Sequence, residues 1–226
     1  MIGIIGAMRI EVETIKSLME NKQTQTVSGV EYVSGTLHGK EIVVAVCGIG
    51  KVAAAMCAQT MILKYSPEAI INTGVGGSLS KNLNICDVAI AESLVQHDMD
   101  TTYFGDPKGF VQHLGIVNIP CNEELGIKIC SVMEDKGVHC VRGVIATGDA
   151  FIADEATKND IAKTFNAIAC DMEGASIALV SYMGNVKCVV MRTVSDGAEG
   201  NDEYETNKDE TAKKSTEALI SVVEAI

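Results

Sequence analysis

The chain alternates between short continuous apolar runs and longer segments in which apolar residues recur every three or four positions. Runs of four to eight apolar residues bounded by Gly, Asn or Asp are typical of buried strands, whereas the three-to-four spacing is typical of amphipathic helices. Val186–Val194 is the most apolar run, as expected of a central strand that is covered on both faces. The sequence therefore predicts an α/β protein.

The predicted elements follow one another without a linker, a repeat or a low-complexity segment, so residues 1–226 are expected to form a single domain with a three-layer α/β/α arrangement. The stretch from His97 to Phe110 and the segment Asp196–Glu205 are predicted to be loops. Strands are predicted over Ile2–Ile5, Val30–Leu37, Glu41–Val46, Ala69–Asn72, Val88–Val95, Val138–Ala146, Ala167–Cys170 and Val186–Val194. Helices are predicted over Met8–Glu20, Val52–Leu63, Asn122–Lys136, Glu155–Phe165, Gly174–Met183 and from about Lys208 to Ile226.

Charge and length exclude several classes of protein. Thirty acidic against eighteen basic residues give a net charge of −12, and no basic cluster offers a nucleic-acid groove. No apolar run has the length of a membrane span, and the first residues lack the basic start of a secretion signal. We therefore expect a cytoplasmic protein without a nucleic-acid or membrane partner.

Cysteine, histidine and glycine patterns give no sign of a metal or a cofactor. The eight cysteines are spread singly, mostly within apolar runs, and are expected to be reduced core residues. His97 and His113 lack the spacing of metal ligands. Gly74–Leu79 lacks the third glycine of a dinucleotide fingerprint, and Gly48–Val52 lacks the spacing of a phosphate-binding loop.

Acidic residues follow the ends of several predicted strands, where ligands bind in α/β sheets. Glu11, Glu173 and Asp196 are expected to share one pocket, although each also has a simpler explanation. Glu11 could simply interact favourably with the dipole at the N-terminus of its helix, and Glu173 could be the N-cap of the helix Gly174–Met183. Asp196 could pair with Arg192, or burial could keep it protonated and able to donate to a ligand.

Six blocks of sequence follow one another in a fixed order. They are Gly3–Met8 with Glu11, Gly48–Ala54, Ile71–Gly74, Gly148–Ile152, Asp171–Ala175 and Arg192–Asp196. Together these blocks resemble the 5′-methylthioadenosine/S-adenosylhomocysteine nucleosidases, within the wider nucleoside phosphorylase superfamily. The resemblance covers nearly the whole chain and implies the fold of that superfamily, with a mixed and partly barrel-like central sheet. It implies hydrolysis of the N-glycosidic bond of a 5′-thio-substituted adenosine, with release of adenine and no cofactor.

The same resemblance implies a role for each matching residue. Asp196 donates a proton to N7 of the purine, and Glu11 positions and deprotonates the attacking water. Both roles suit a transition state with oxocarbenium character, which needs an acid for the leaving base and a carboxylate for the water. The implied substrate-binding residues are Met8, Ile49, Val75, Gly76, Phe151, Ile152, Met172, Glu173, Arg192 and Ser195.

The sequence differs from the family pattern at two places near the implied catalytic residues. Val75 stands where the family usually has a serine that contacts the water, and Arg9-Ile10 replaces an acidic pair before the catalytic glutamate. The irregular segment Tyr103–Phe110 matches a stretch that reaches into the neighbouring subunit's site in relatives. Phe104 is therefore expected to cover the 5′ pocket of a second copy, which implies a homodimer.

Three other functions stay open from the sequence. A phosphorylase would need cationic groups for phosphate, and only Arg192 or Arg9 could serve. A hydrolase of aminodeoxyfutalosine would use the same residues on a bulkier adenosine derivative. A nucleoside-binding or storage protein would need neither acid, whereas this chain has both.

Overall fold

Eleven strands form one mixed sheet in the computed structural model, which describes residues 1–198 and 203–225. The strands follow the order β2-β3-β4-β1-β5-β11-β6-β10-β9-β7-β8, and β11 also pairs with β7. Their bounds are β1 Ile2–Gly6, β2 Glu20–Val27, β3 Val30–Leu37, β4 Lys40–Val46, β5 Ala69–Asn72, β6 Val75–Ser78, β7 Val88–Gln96, β8 Ile119–Pro120, β9 Cys140–Thr147, β10 Ala167–Asp171 and β11 Lys187–Asp196.

The long strand β11 makes the sheet partly barrel-like. Its first half, Lys187–Val190, runs parallel to β5, and its second half pairs with β6 on one side and β7 on the other. Because β6, β10, β9 and β7 are themselves paired in turn, the extra β11–β7 pairing closes these five strands into a ring. The predicted mixed, partly closed sheet is thus confirmed.

Within the described residues, six α-helices cover the sheet: α1 Glu13–Leu18, α2 Lys51–Tyr65, α3 Glu123–Asp135, α4 Glu155–Phe165, α5 Gly174–Met183 and α6 Glu203–Ala225. Helices α2 and α5 bury Cys57, Met61 and Ile177 in one core cluster. Helices α1, α3 and α6 contribute residues such as Ile15 and Leu219 to another. None of the described helices is long and apolar enough to cross a membrane.

The structure departs from the predicted elements mainly at polar or glycine-rich strands. The edge strand β2 is almost wholly exposed and carries no apolar alternation, so its sequence does not predict a strand. Strand β6 is Val-Gly-Gly-Ser, and no strand was predicted there. The predicted helix Met8–Glu20 is a short 3₁₀ turn, Arg9–Glu11, followed by α1, because Val12 leaves helical backbone angles. Ile226 lies outside the described residues.

One prediction about the cysteines is wrong. Cys130 of α3 and Cys140 of β9 form a disulfide, ten residues apart in sequence. The spacing of these two cysteines does not indicate a disulfide, because the packing of α3 on β9 brings them together. The other six cysteines carry free thiols.

Candidate active site

A cleft opens where the carboxyl ends of several strands meet. Strands β1, β5 and β11 run parallel, so their ends lie at one edge of the sheet. Gly77 of β6 pairs with Asp196 on one side and Cys170 on the other, which places the end of β10 beside the end of β11. The lining residues are Ala7, Met8, Glu11, Ile49, Val75, Gly76, Gly77, Ala150, Phe151, Ile152, Cys170, Asp171, Met172, Glu173, Ser195 and Asp196.

Glu11 is buried at the end of the 3₁₀ turn, with its carboxylate held by the main chain. Its Oε2 accepts a hydrogen bond from the amide of Met8 at 2.9 Å, and its Oε1 accepts one from Val75 at 3.2 Å. Burial raises the pKa of Glu11, while the Met8 amide and the Arg192 guanidinium act in the opposite direction. Because both carboxylate oxygens accept hydrogen bonds from the main chain, the Glu11 side chain is held in one position.

Glycine is required at position 74 for Glu11 to lie where it does. Gly74 has a φ of +155°, and a Cβ there would come within 2.6 Å of Oε1 of Glu11. Any other side chain would therefore have to displace the carboxylate or the backbone of β6.

Asp196, the last residue of β11, is buried and bonded on both oxygens. Ser195 Oγ donates to Oδ1 at 2.9 Å, and the Lys158 ammonium donates to Oδ2 at 2.6 Å. The ammonium also donates to the carbonyl of Gly197 at 2.6 Å. Asp196 is therefore surrounded by a hydroxyl and an ammonium, which differs from the apolar burial that the sequence suggested.

The pairing of Asp196 with Arg192, one of the two alternatives for this aspartate, does not occur. The Arg192 guanidinium is almost wholly buried and lies 2.5 Å from Asp171 Oδ2 and 3.8 Å from Glu173 Oε2. It also donates to Asn72 Oδ1 at 2.6 Å. Asp171 accepts further hydrogen bonds from Thr147 Oγ1 and the Gly174 amide. Arg192 thus holds this wall of the cleft together from behind.

Glu173 occupies the N-cap position of α5 but its side chain does not cap the helix. Instead, Oε1 accepts a hydrogen bond from the Gly50 amide at 2.9 Å, which ties the loop before α2 to the cleft. Burial, together with the neighbouring charge of Asp171, raises the pKa of Glu173 to about 7.

This raised pKa predicts a pH-dependent stability. A carboxyl group that binds its proton more tightly in the folded state stabilises the protein at low pH, and this contribution is lost as pH rises from about 4.5 to about 7. Glu173→Gln should therefore raise the free energy of unfolding at pH 8 by roughly 1–3 kcal/mol relative to the parent chain. Thermal unfolding at pH 5 and pH 8 measures it.

The exposed Glu134 of α3 offers a matched control, because Glu134→Gln removes a carboxylate of the same type outside the cleft. That variant should leave the difference in the free energy of unfolding between pH 5 and pH 8 unchanged. If Glu173→Gln also leaves it unchanged, Glu173 is ionised throughout this range in the folded protein.

The remaining predicted site residues divide into two groups. Met8, Ile49, Val75, Gly76, Phe151, Ile152, Met172 and Ser195 line the cleft, with Ile49 and Phe151 at its exposed mouth. Arg192 lies behind the wall, and Phe104 lies on a loop with three quarters of its surface exposed.

Sequence reasoning missed Lys158, Asp171, Asn72 and Thr147. One signal for Lys158 was available: it stands three residues before Ile161 and seven before Phe165, on the buried stripe of α4. Cys170 also lines the cleft, but burial and the nearby Asp196 raise the pKa of its thiol to about 12, which excludes a thiolate nucleophile near neutral pH.

Comparison with known proteins gives consistent matches over the full chain. The phosphorylase superfamily matches residues 1–226. The 5′-methylthioadenosine/S-adenosylhomocysteine nucleosidase of Shewanella sp. strain W3-18-1 is 40% identical over 198 residues, covering 87% of this chain and 86% of that protein.

Two solved structures from Helicobacter pylori are similar to the whole of this chain. One is an aspartate-to-asparagine mutant of the methylthioadenosine/S-adenosylhomocysteine nucleosidase with 5′-methylthioadenosine in its active site, with a TM-score of 0.94 and 33% identity over 100% of this chain and 98% of that one. Another is described as a futalosine hydrolase, with a TM-score of 0.94 and 35% identity over 100% and 97% of the two chains.

Proposed function

The chain belongs to the phosphorylase superfamily and, within it, to the 5′-methylthioadenosine/S-adenosylhomocysteine nucleosidases, and from that membership we propose that it hydrolyses the N-glycosidic bond of these two nucleosides. The products are adenine and the corresponding 5′-thioribose, and 5′-deoxyadenosine is a further substrate of the same kind. The enzyme thereby serves methionine salvage and removes a by-product of methyl transfer.

One observation carries this proposal: Glu11, Glu173 and Asp196, far apart in sequence, line one cleft. Breaking a glycosidic bond through an oxocarbenium-like transition state needs a proton at the leaving base and a base for the incoming water. Two buried carboxyl groups held by different neighbours can divide these tasks. Glu11 is held by backbone amides, and Asp196 by an ammonium and a hydroxyl.

In the proposed mechanism Asp196 protonates N7 of the purine, and Ser195 orients it. Protonated adenine leaves with the electron pair of the C1′–N9 bond. Glu11 then removes a proton from the water that attacks C1′. The Val75 side chain offers no hydroxyl to that water, but its amide still fixes Glu11, so the base stays in place.

Other lining residues bind the substrate. Glu173 accepts hydrogen bonds from the ribose hydroxyls, while Met172, Met8 and Ile49 contact the sugar and its 5′ substituent. Phe151 stacks on adenine, the backbone at Ile152 reads the edge of the ring, and Gly76 lets β6 approach it closely. Arg192 supports Glu173 from behind.

The charge of the cleft favours water over phosphate as the nucleophile. Among the residues that the structure describes, the cleft wall contains neither Lys nor Arg, and the Arg192 guanidinium is taken up by Asp171, Asn72 and Glu173. A phosphate dianion would meet Glu11, Glu173 and Asp196, with no free Lys or Arg among the described lining residues.

Adenine release from 5′-methylthioadenosine, S-adenosylhomocysteine and 5′-deoxyadenosine, measured with and without phosphate, tests the proposal. We expect release without phosphate, no stimulation by phosphate, and a reducing sugar rather than a sugar 1-phosphate as the second product. Release only with phosphate would identify a phosphorylase. Binding without any release would identify a nucleoside-binding protein.

Hydrolysis of aminodeoxyfutalosine is a second candidate. The futalosine hydrolase structure of H. pylori is similar over the whole chain, and Ile49 and Phe151 leave the mouth of the cleft exposed. Adding this substrate to the same assay and comparing kcat/KM decides between the two.

We further propose a homodimer in the cytoplasm. Val52, Met56 and Leu63 lie on one face of α2 and are exposed, directly after the cleft residue Ile49. An exposed apolar stripe of this kind marks an interface. Lys51 pairs with Asp98 at 2.7 Å, so the loop that carries Phe104 leaves the sheet beside the start of α2. Six of the eight cysteines carry free thiols, as in a protein of a reducing compartment, and the Cys130–Cys140 disulfide is the exception.

Exchange of Phe104 between subunits predicts complementation. Phe104→Ala should raise KM for 5′-methylthioadenosine about tenfold, as loss of an aromatic contact does. A mixed dimer with a Glu11→Gln subunit has one site with both residues intact, so mixing the two variants should restore activity at low substrate concentration. Activity no greater than the sum of the separate variants would contradict a shared site, and sedimentation velocity checks the dimer.

A further inference from the structure

Lys158 is a buried lysine on a helix that is otherwise largely exposed. It is 1% exposed, and its ammonium contacts Asp196 Oδ2 and the Gly197 carbonyl, both at 2.6 Å. Along α4 it continues the stripe of Ile161 and Phe165, where an apolar side chain would pack. The ammonium therefore sits directly behind the carboxyl group that the proposed mechanism uses as its acid.

Fold stability does not explain a lysine at this position. Removing two charges from water costs about as much as their attraction returns, and apolar replacements of buried pairs are often neutral or stabilising. A lysine also loses more side-chain entropy on burial than a leucine. A buried ammonium bonded to the end of a catalytic carboxyl group is better explained by chemistry at that carboxyl group.

The paired state of Asp196 raises a question of proton supply. Both carboxyl oxygens of Asp196 accept hydrogen bonds, whereas N7 of adenine must receive a proton for the base to leave. Of the two side-chain donors to Asp196, the Lys158 ammonium is the closer, at 2.6 Å against 2.9 Å for the Ser195 hydroxyl. The ammonium is within the hydrogen-bond reach that a proton transfer requires.

We propose that Lys158 is a positioning residue for Asp196 that also supplies the proton which Asp196 delivers to N7, an inference that rests on the proposed function. An N–H bond of the ammonium breaks as an O–H bond forms on Asp196. That O–H bond breaks as an N–H bond forms at N7, and adenine takes the electron pair of the C1′–N9 bond. The neutral amine regains a proton from solvent after adenine leaves.

The proposal is tested with two substrates that share the 5-methylthioribose sugar and carry leaving groups with a different need for a proton. One is 5′-methylthioadenosine, and the other is the 4-nitrophenyl glycoside of 5-methylthioribose, whose nitrophenolate leaves unprotonated. Lys158→Met should lower kcat on the nucleoside about 100-fold and change kcat on the nitrophenyl glycoside less than about threefold, since only the first needs general-acid catalysis. Lys163→Met, on the exposed face of the same helix, is the matched control.

Two results would overturn the proposal. In one, Lys158→Met keeps kcat on the nucleoside within about threefold of the parent, which is far less than a general acid contributes. In the other, both substrates lose rate equally, as expected of a purely structural role. If the Met variant does not fold, Lys158→Gln serves with the same criteria. Failure of the proposed function differs from both, because the parent chain would then cleave neither substrate.

Discussion

Asp196→Asn is expected to lower kcat for adenine release from 5′-methylthioadenosine about 10³-fold, within the range that general-acid catalysis contributes. Asparagine has nearly the same shape as aspartate and can still accept the hydrogen bond from Ser195. It cannot carry a transferable proton, so the purine must leave as an unprotonated anion. Binding of the nucleoside should persist, because the other walls of the cleft are unchanged.

The nitrophenyl glycoside isolates this effect from folding. Its leaving group needs no proton, so Asp196→Asn should hydrolyse it at nearly the parent rate. The variant also leaves the Lys158 ammonium buried without its anionic partner, which should lower the melting temperature. Steady-state kinetics must therefore be run well below that temperature. Adenine release within about tenfold of the parent would remove Asp196 from the role of acid, because general-acid catalysis is worth more than that.

Much of the fold could be predicted because its central strands and helices are apolar in simple patterns. Strands β3 and β5 and helices α4 and α5 have the predicted bounds. Strands β2 and β6 could not be predicted, since an exposed edge strand has no apolar face and Gly76-Gly77 is favoured in turns. Pairing with β3 and β11 makes strands of them, and this pairing is not visible in the local sequence.

The site was predictable where an acid follows a strand and unpredictable where its support comes from elsewhere. Glu11, Glu173 and Asp196 are marked by their place after apolar runs. Their hydrogen-bond partners are set by tertiary packing. Gly50, whose amide donates to Glu173, is 123 residues away in sequence, and Lys158 of α4 contacts Asp196 at the end of β11. Arg192 and Asp196 are four residues apart, a spacing that regular alternation along β11 would place on one face. The register of β11 against β6 shifts between Val194 and Asp196, and the two side chains have different partners.

Glu11→Gln is expected to lower kcat about 10³-fold as well, but on both substrates, because water must be deprotonated whichever group leaves. Glutamine offers one acceptor oxygen, whereas the carboxylate accepts from the amides of both Met8 and Val75. Its NH₂ group must then face one of those amide donors. The variant thus loses the base and part of its positioning together.

Comparing the two variants on the two substrates distinguishes the role of Asp196 as the acid from that of Glu11 as the base. Asp196→Asn should spare the nitrophenyl glycoside, whereas Glu11→Gln should not. Because burial raises the pKa of Glu11, kcat/KM of the parent chain should already fall on acidification above pH 4.5, the ordinary value for a glutamate. A Glu11→Gln variant that cleaves the nitrophenyl glycoside at the parent rate would show that another group activates the water. The role of Glu11 as the catalytic base would then be wrong.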